Sequence, residues 1–279
     1  MEENPSWARA ADQQHLSPRE RIYTLPTGIP AQTLGWGVLK WVSDHLVQPN
    51  GPLAGQPFRL TEGQVRFILW FYAIDNDGRW IYNRGIRRLA KGSGKSPFAA
   101  VLALAELLGP VRLDDFDKRL PGGVLGKPVT MPLVQIAATS EKQTANTMRM
   151  VRAFAGKKTL LRRKYGLQVG KTFVDTPYLG KLEQITSSET SAEGSETSFT
   201  VGDETEHWTP AMGGTGLMET LIQNASKSGA RILETCNAWQ PGAMSTAEKA
   251  FETWCEQQEG NSRAKQHILY DAVIAPWNT

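Results

Sequence analysis

The chain has 279 residues, 31 basic and 28 acidic, with a formal net charge of +3, and 40% of its residues are apolar. That apolar share excludes wholesale disorder, and the length suits one large domain or one domain with an appendage. No stretch reaches the roughly 18 uninterrupted apolar residues of a membrane span, and two cysteines, Cys236 and Cys255, are too few for a disulfide scaffold or a four-ligand zinc site.

The polar, acidic first residues lack the basic-then-apolar layout of a secretory signal, so an intracellular protein with no membrane contact is expected. Residues 1–57 are rich in proline and glycine and read as an N-terminal arm packing on the core, with one amphipathic helix over 34–47. Thr61 caps a second helix, with Gln64 at the capping-box spacing and an apolar stripe of Val65, Ile68, Leu69 and Tyr72. Residues 80–89 read as a strand that runs into Ala90-Lys91-Gly92-Ser93-Gly94-Lys95-Ser96, and an apolar helix follows to Gly109-Pro110. The alternation then continues. Residues 129–138 form a buried strand, and Ser140 caps a helix over 141–154. After a basic stretch at 157–171 come short strands near 172–174 and 182–185, and a Ser/Thr/Glu loop at 186–198. A strand at 199–201 leads into Gly202-Asp203-Glu204, and a helix covers 217–225. A strand at 230–233 precedes Glu234-Thr235-Cys236-Asn237, and a helix at 247–258 and a strand at 267–274 close the chain. Strands alternating with helices predict an α/β fold, a mostly parallel sheet with helices on both faces.

Strand, glycine loop and helix, in that order, are what a phosphate-binding loop requires. Backbone N–H groups at Gly92, Ser93 and Gly94 wrap the phosphates, the Lys95 ammonium reaches the β and γ oxygens, and the Ser96 hydroxyl holds Mg²⁺. The usual pattern has a glycine five residues before the Gly-Lys pair, and here that place is taken by Leu89. The alternative is a glycine-rich turn with an exposed lysine. Asp203-Glu204 at a strand end is the complementary half: Asp203 positions the metal through water and Glu204 polarises the attacking water. A surface turn with a negative cluster, Glu206 being near, is the plainer alternative. His207 has no HExxH or cysteine–histidine context, so a local hydrogen bond is its expected role. Thr235 stands where a polar residue senses the γ-phosphate, and Gln64 can read the adenine edge or simply complete its capping box.

Taken together these residues resemble the ATPase half of the large terminase subunits of tailed bacteriophages, the P-loop NTPases that package DNA. The resemblance rests on Leu60-Thr61-Glu62-Gly63-Gln64, the loop at 90–96, Ala137-Ala138-Thr139-Ser140-Glu141-Lys142-Gln143, Gly202-Asp203-Glu204 with His207, and Glu234-Thr235-Cys236-Asn237, over residues 58–276. The family's Walker A loop also lacks the first glycine, which agrees with Leu89. It implies a P-loop ATPase domain over 58–279 of the ASCE/RecA-like kind, hydrolysing ATP with Mg²⁺ to drive double-stranded DNA into a procapsid. Gln64, Lys91, Gly92, Ser93, Gly94, Lys95 and Ser96 then bind nucleotide, Ser96 and Asp203 hold the metal, and Thr235 couples nucleotide state to movement. Glu204, Lys95 and Lys91 would be catalytic. The family has arginine where this loop has Lys91, so the bidentate fork is lost and Arg87, Arg88 or a neighbouring subunit's arginine could supply it. The resemblance further implies a viral portal and a small terminase subunit as partners, a homo-oligomeric ring when docked and a monomer in isolation, and the cytoplasm of the infected bacterium. The family's RNase H-like nuclease domain is absent from these 279 residues, so no nuclease activity is expected of them. Two other readings stand beside this one: a helicase-like nucleic-acid ATPase, for which about 40 residues after Asn237 leave too little room for a second lobe, and a P-loop switch that hydrolyses nothing. The basic run from Lys157 to Lys164 reads either as a solvated face or as a contact for DNA phosphates.

Overall fold

A computed structural model describes residues 22–187, 195–260 and 267–274. The first 21 residues, most of the Ser/Thr/Glu loop and the chain's last five residues lie outside it. Among the described residues nine strands form one sheet in the order β1-β11-β2-β10-β9-β5-β8-β7-β6. Its centre is parallel: β11 (Ile268–Ile274), β2 (Arg84–Arg88), β10 (Arg231–Cys236), β9 (Phe199–Asp203), β5 (Leu133–Ala138) and β8 (Lys181–Thr186). Antiparallel strands finish both edges, β1 (Ile22–Tyr23) on one side and β7 (Phe173–Asp175) with β6 (Gln168–Val169) on the other. The α/β class with a mostly parallel sheet holds.

Helices cover both faces, as a parallel sheet demands. In chain order they are α1 (Gly35–His45), α2 (Glu62–Phe71), α3 (Lys95–Leu108), α4 (Glu141–Phe154), α5 (Leu160–Tyr165), α6 (Gly214–Ser228) and α7 (Thr246–Gln258). None among the described residues is long and apolar enough to cross a membrane. The α3 helix is the spine, because its residues from Phe98 to Ala105 are wholly buried. Leu34, Val38, Trp41, Val42 and Leu46 of the α1 region join the same core.

Three local readings need correction. The α2 stripe is Phe67, Ile68, Leu69, Phe71 and Tyr72, while Val65 is only half buried. The strand read as ending at residue 233 runs on to Cys236, because the polar Glu234 and Thr235 are held there by Arg84 and Asp203. The sequence reading also passes over a two-stranded hairpin, β3 (Arg112–Phe116) with β4 (Val124–Lys127). Its mixed charged and apolar residues have no period of two, so the turn at Pro121-Gly122-Gly123 was its one signal.

Beneath the sheet lies a buried ionic cluster. Glu106 of α3 accepts hydrogen bonds from the Tyr72 hydroxyl (2.8 Å), Arg231 Nη2 (2.7 Å) and Arg112 Nη1 (2.8 Å). Arg231 is fully buried, also donates to the Phe71 carbonyl at 2.7 Å, and lies 3.8 Å from the Trp80 ring centre. The cluster sits where β10 begins, at the opposite end of the sheet from the glycine loop, and fixes α3 to β10.

Candidate active site

The loop between β2 and α3 turns on two glycines in the left-handed region, Gly92 at φ +85° and Gly94 at φ +80°. A side chain at either would strain the turn. Gly94 is also the N-cap of α3 and offers no side-chain cap, so the first N–H groups of a 14-residue helix are left for an anion. Lys95 opens that helix. Its ammonium donates to the carbonyls of Leu89 (2.7 Å) and Ala90 (3.0 Å) and to Asn237 Oδ1 (2.7 Å). Partial burial lowers its pKa from the usual lysine value, against the pull of the Glu206, Glu204 and Asp203 carboxylates. Ser96 is half buried in the first turn, and Lys91 and Ser93 are exposed.

Asp203 ends β9 with only 1% of its surface exposed. Its Oδ1 accepts from the Thr235 hydroxyl at 2.6 Å and its Oδ2 from the Thr147 hydroxyl of α4 at 2.5 Å. The parallel register pairs Thr235 with Asp203 directly. Burial raises the Asp203 pKa, and these two hydroxyls oppose the rise. The Trp208 indole donates to the Asp203 carbonyl at 3.0 Å and fixes the turn beyond it.

Glu204 follows in the left-handed region at φ +56°, a conformation that costs a residue with a side chain about 1–3 kcal/mol. Its N–H lies 3.4 Å from the Thr235 hydroxyl, so the strand neighbour helps to hold the turn. Burial raises its carboxyl above the usual range, and the nearby Asp203 and Glu206 charges add to that. Such a carboxylate takes up a proton more readily than an exposed one. Glu206 turns inward: its Oε1 accepts from Asn237 Nδ2, and its Oε2 is buried with no partner among the described residues. Asn237 therefore bridges Lys95 and Glu206.

Gln64 reaches the loop from α2. Its Oε1 accepts from the Thr61 N–H at 2.9 Å, completing the capping box, while a Cβ built on Gly94 would meet its Nε2 at 3.6 Å. One end of the amide is committed to the cap and the other faces the loop. Arg87 and Arg88 are both occupied. Arg87 is buried and donates to Asp271 at 2.7 Å, and Arg88 lies 4.2 Å from the Trp239 ring centre. Arg87 is thus held away from the loop, and Arg88 lies over an aromatic ring. His207 has 58% of its side chain exposed, 3.8 Å from Glu206, and no metal-binding group of three or more His, Cys, Asp or Glu occurs among the described residues.

The structure thus gathers Gly92, Gly94, Lys95, Asp203 and Thr235 at the C-terminal ends of adjacent parallel strands, with Glu204 beside them. Thr147, Glu206, Asn237 and Trp208 complete the constellation. Asn237 stands in the motif at 234–237 and Glu206 beside the Asp203-Glu204 pair, but neither has a role legible in sequence. Thr147, in the interior of a helix, gave no signal.

No family model matches the chain. Over 99% of its length it is 36% identical to the gene 13 proteins of Mycobacterium phages D29 and L5, in alignments of 301 positions covering 48% of each. The chain spans about half the length of these curated relatives. Among solved structures, the large terminase of bacteriophage HK97 matches 89% of this chain and 45% of its own, with a TM-score of 0.66 and 16% identity. That likeness is one of fold.

Proposed function

We propose, from a fold shared with part of a phage large terminase, that residues 58–279 are the ATP-hydrolysing domain of a DNA-packaging motor, with residues 1–57 as its packed arm. The observation that carries this reading is the convergence of Lys95, Asn237, Thr235 and Asp203, which ties the glycine loop to two adjacent strand ends.

Gly92, Ser93, Gly94 and the free end of α3 cradle the triphosphate, and the Lys95 ammonium leaves Asn237 for its oxygens. Gln64 Nε2 faces the loop from the side and donates to the base. Asp203 and the Ser96 hydroxyl are hard oxygen donors, a set that fits Mg²⁺ shared with phosphates better than an all-protein cage. Bound there, Mg²⁺ would neutralise charge on the phosphates. Glu204, raised by burial, orients the attacking water and takes its proton. Lys91 points a charge outward from the loop, and an arginine from a neighbouring subunit completes the charge stabilisation. Thr235, bonded to Asp203 and beside the Glu204 N–H, passes the nucleotide state into β10. Double-stranded DNA is the load, a viral portal and a small terminase subunit are the partners, a ring is the working assembly, and the infected cell's cytoplasm is the setting. No nuclease activity belongs to these residues.

ATP turnover per subunit, measured against protein concentration with and without duplex DNA, tests this reading. A per-subunit rate that climbs with concentration is the expected result. Absence of turnover at every concentration, with the nucleotide bound, would leave a P-loop switch instead.

Thr147 supplies a second check. Removing one hydrogen bond to a buried charged group costs about 1.5–3 kcal/mol. Thr147→Val is therefore expected to raise the Mg²⁺ concentration needed for nucleotide binding by roughly tenfold or more, with Thr147→Ser restoring most of it. Equal Mg²⁺ dependence in wild type and Thr147→Val would remove Thr147 from the site.

A further inference from the structure

Residues 144–174 carry eight lysines and arginines and no aspartate or glutamate, whereas the rest of the chain has more acidic than basic residues. The segment is firmly built. Thr159 caps α5 by accepting from the Arg162 N–H, Leu161 is fully buried, and Tyr165 accepts from the Trp41 indole at 2.9 Å. Among the described residues none of its cations is in an ion pair with a carboxylate. Elsewhere on the surface Lys40 pairs with Asp44, Arg66 with Glu62, Arg119 with Asp117 and Lys181 with Glu183. Here Arg149, Lys157, Lys158 and Arg163 are exposed with no carboxylate partner among the described residues, and Lys164 is taken up by His45 Nε2 at 2.6 Å.

Complementing a helix dipole accounts for a charge or two at a helix end, worth about 0.3–1 kcal/mol each. It does not call for eight cations in a segment with no carboxylate of its own. Unscreened like charges on a rigid surface are a standing cost that a polyanion removes. Two features say which polyanion. The segment's aromatic residues before β7 are Phe154, which is buried, and Tyr165, which is bonded to Trp41. Phe173 and Tyr178, further along the chain, are exposed, but no exposed aromatic residue lies in sequence between Arg149 and Arg163 for bases to stack on, so a phosphate backbone is what these cations are left to hold. The segment also continues directly from α4, which carries Thr147 onto Asp203, so a rigid helix joins it to the nucleotide site.

We propose that Arg149, Lys157, Lys158 and Arg163 form a grip for the phosphate backbone of double-stranded DNA, independent of its sequence. The choice of duplex DNA rests on the motor reading above; the surface itself rests on the charge pattern.

The test is the affinity of the whole chain for two unrelated duplexes of about 30 base pairs, followed between about 50 and 200 mM salt, the range over which phosphate contacts weaken strongly. Lys157→Ala, Lys158→Ala and Arg163→Ala combined should weaken both duplexes alike, about tenfold or more, and make the salt dependence shallower by about 2–3 in log–log slope. Lys157→Arg with Lys158→Arg should keep the wild-type slope, and Lys249→Ala, an exposed lysine on α7, should not alter it. An unchanged slope in the triple variant, tighter binding of single strands than of duplex, or an equal loss in Lys249→Ala would each overturn the proposal. ATP turnover measured without DNA separates the two readings. Duplex binding with the expected slope change but no turnover would sink the motor and leave the grip, whereas turnover with an unchanged slope would do the reverse.

Discussion

Glu204→Gln should reduce ATP turnover by about 10²–10⁴, the range that a positioned general base supplies, while nucleotide binding stays within a few-fold of wild type. The change removes a proton acceptor and little else: Glu204 makes no side-chain ion pair among the described residues, and its backbone turn is held by Thr235. Glutamine can adopt the same backbone and reach the same water. Its amide cannot take the proton. A steady-state assay beside an equilibrium measurement of ATP binding separates the two effects. Should turnover survive in Glu204→Gln, Glu206 could not simply inherit the role, because its Oε1 is tied to Asn237 and its Oε2 is buried. The assignment of the base would then fall.

The largest stability effect is expected far from that chemistry. Glu106→Leu leaves Arg231 buried without its counter-ion and takes the acceptor from Tyr72 and Arg112 as well. Breaking a buried pair in this way costs about 3–5 kcal/mol, which for a domain of this size lowers the thermal midpoint by roughly 10 °C. Adding Arg231→Met to Glu106→Leu removes the stranded charge and should recover a large part of the loss. Thermal unfolding of the single and double variants checks both statements. If the single variant unfolded within a degree or two of wild type, the cluster would not be what fixes α3 to β10.

This contrast shows what the sequence could and could not reveal. Glu106 is conspicuous as a lone charge inside an apolar helix, so that something must meet it can be read directly. That Arg231 and Arg112 meet it cannot, because the partners come from distant segments that only the sheet order brings together. The same holds at the site. Lys95, Asp203 and Thr235 announce themselves by their place after strands and by the residue types that phosphate and metal chemistry require. The parallel register between β9 and β10 then sets Thr235 against Asp203 without further information. Thr147 belongs to no motif, since a threonine in the middle of a helix is distinguished only by what its hydroxyl touches. Arg87 and Arg88 err in the opposite direction. As residues beside a glycine loop they look available, and the fold commits one to Asp271 and the other to Trp239. Gln64 joins both possibilities: its carbonyl completes the capping box while its amide nitrogen faces Gly94.

The most direct measurement is the binding of a Mg²⁺-bound, non-hydrolysable ATP analogue to wild type, to Glu204→Gln and to Lys95→Ala, by calorimetric titration. If the loop from Gly92 to Ser96 holds the triphosphate, the first two bind alike and Lys95→Ala loses at least tenfold, about 1.4 kcal/mol for each factor of ten. Equal binding in all three would mean that the ammonium now resting on Leu89, Ala90 and Asn237 never leaves them for a phosphate, and that the loop is a glycine turn and nothing more.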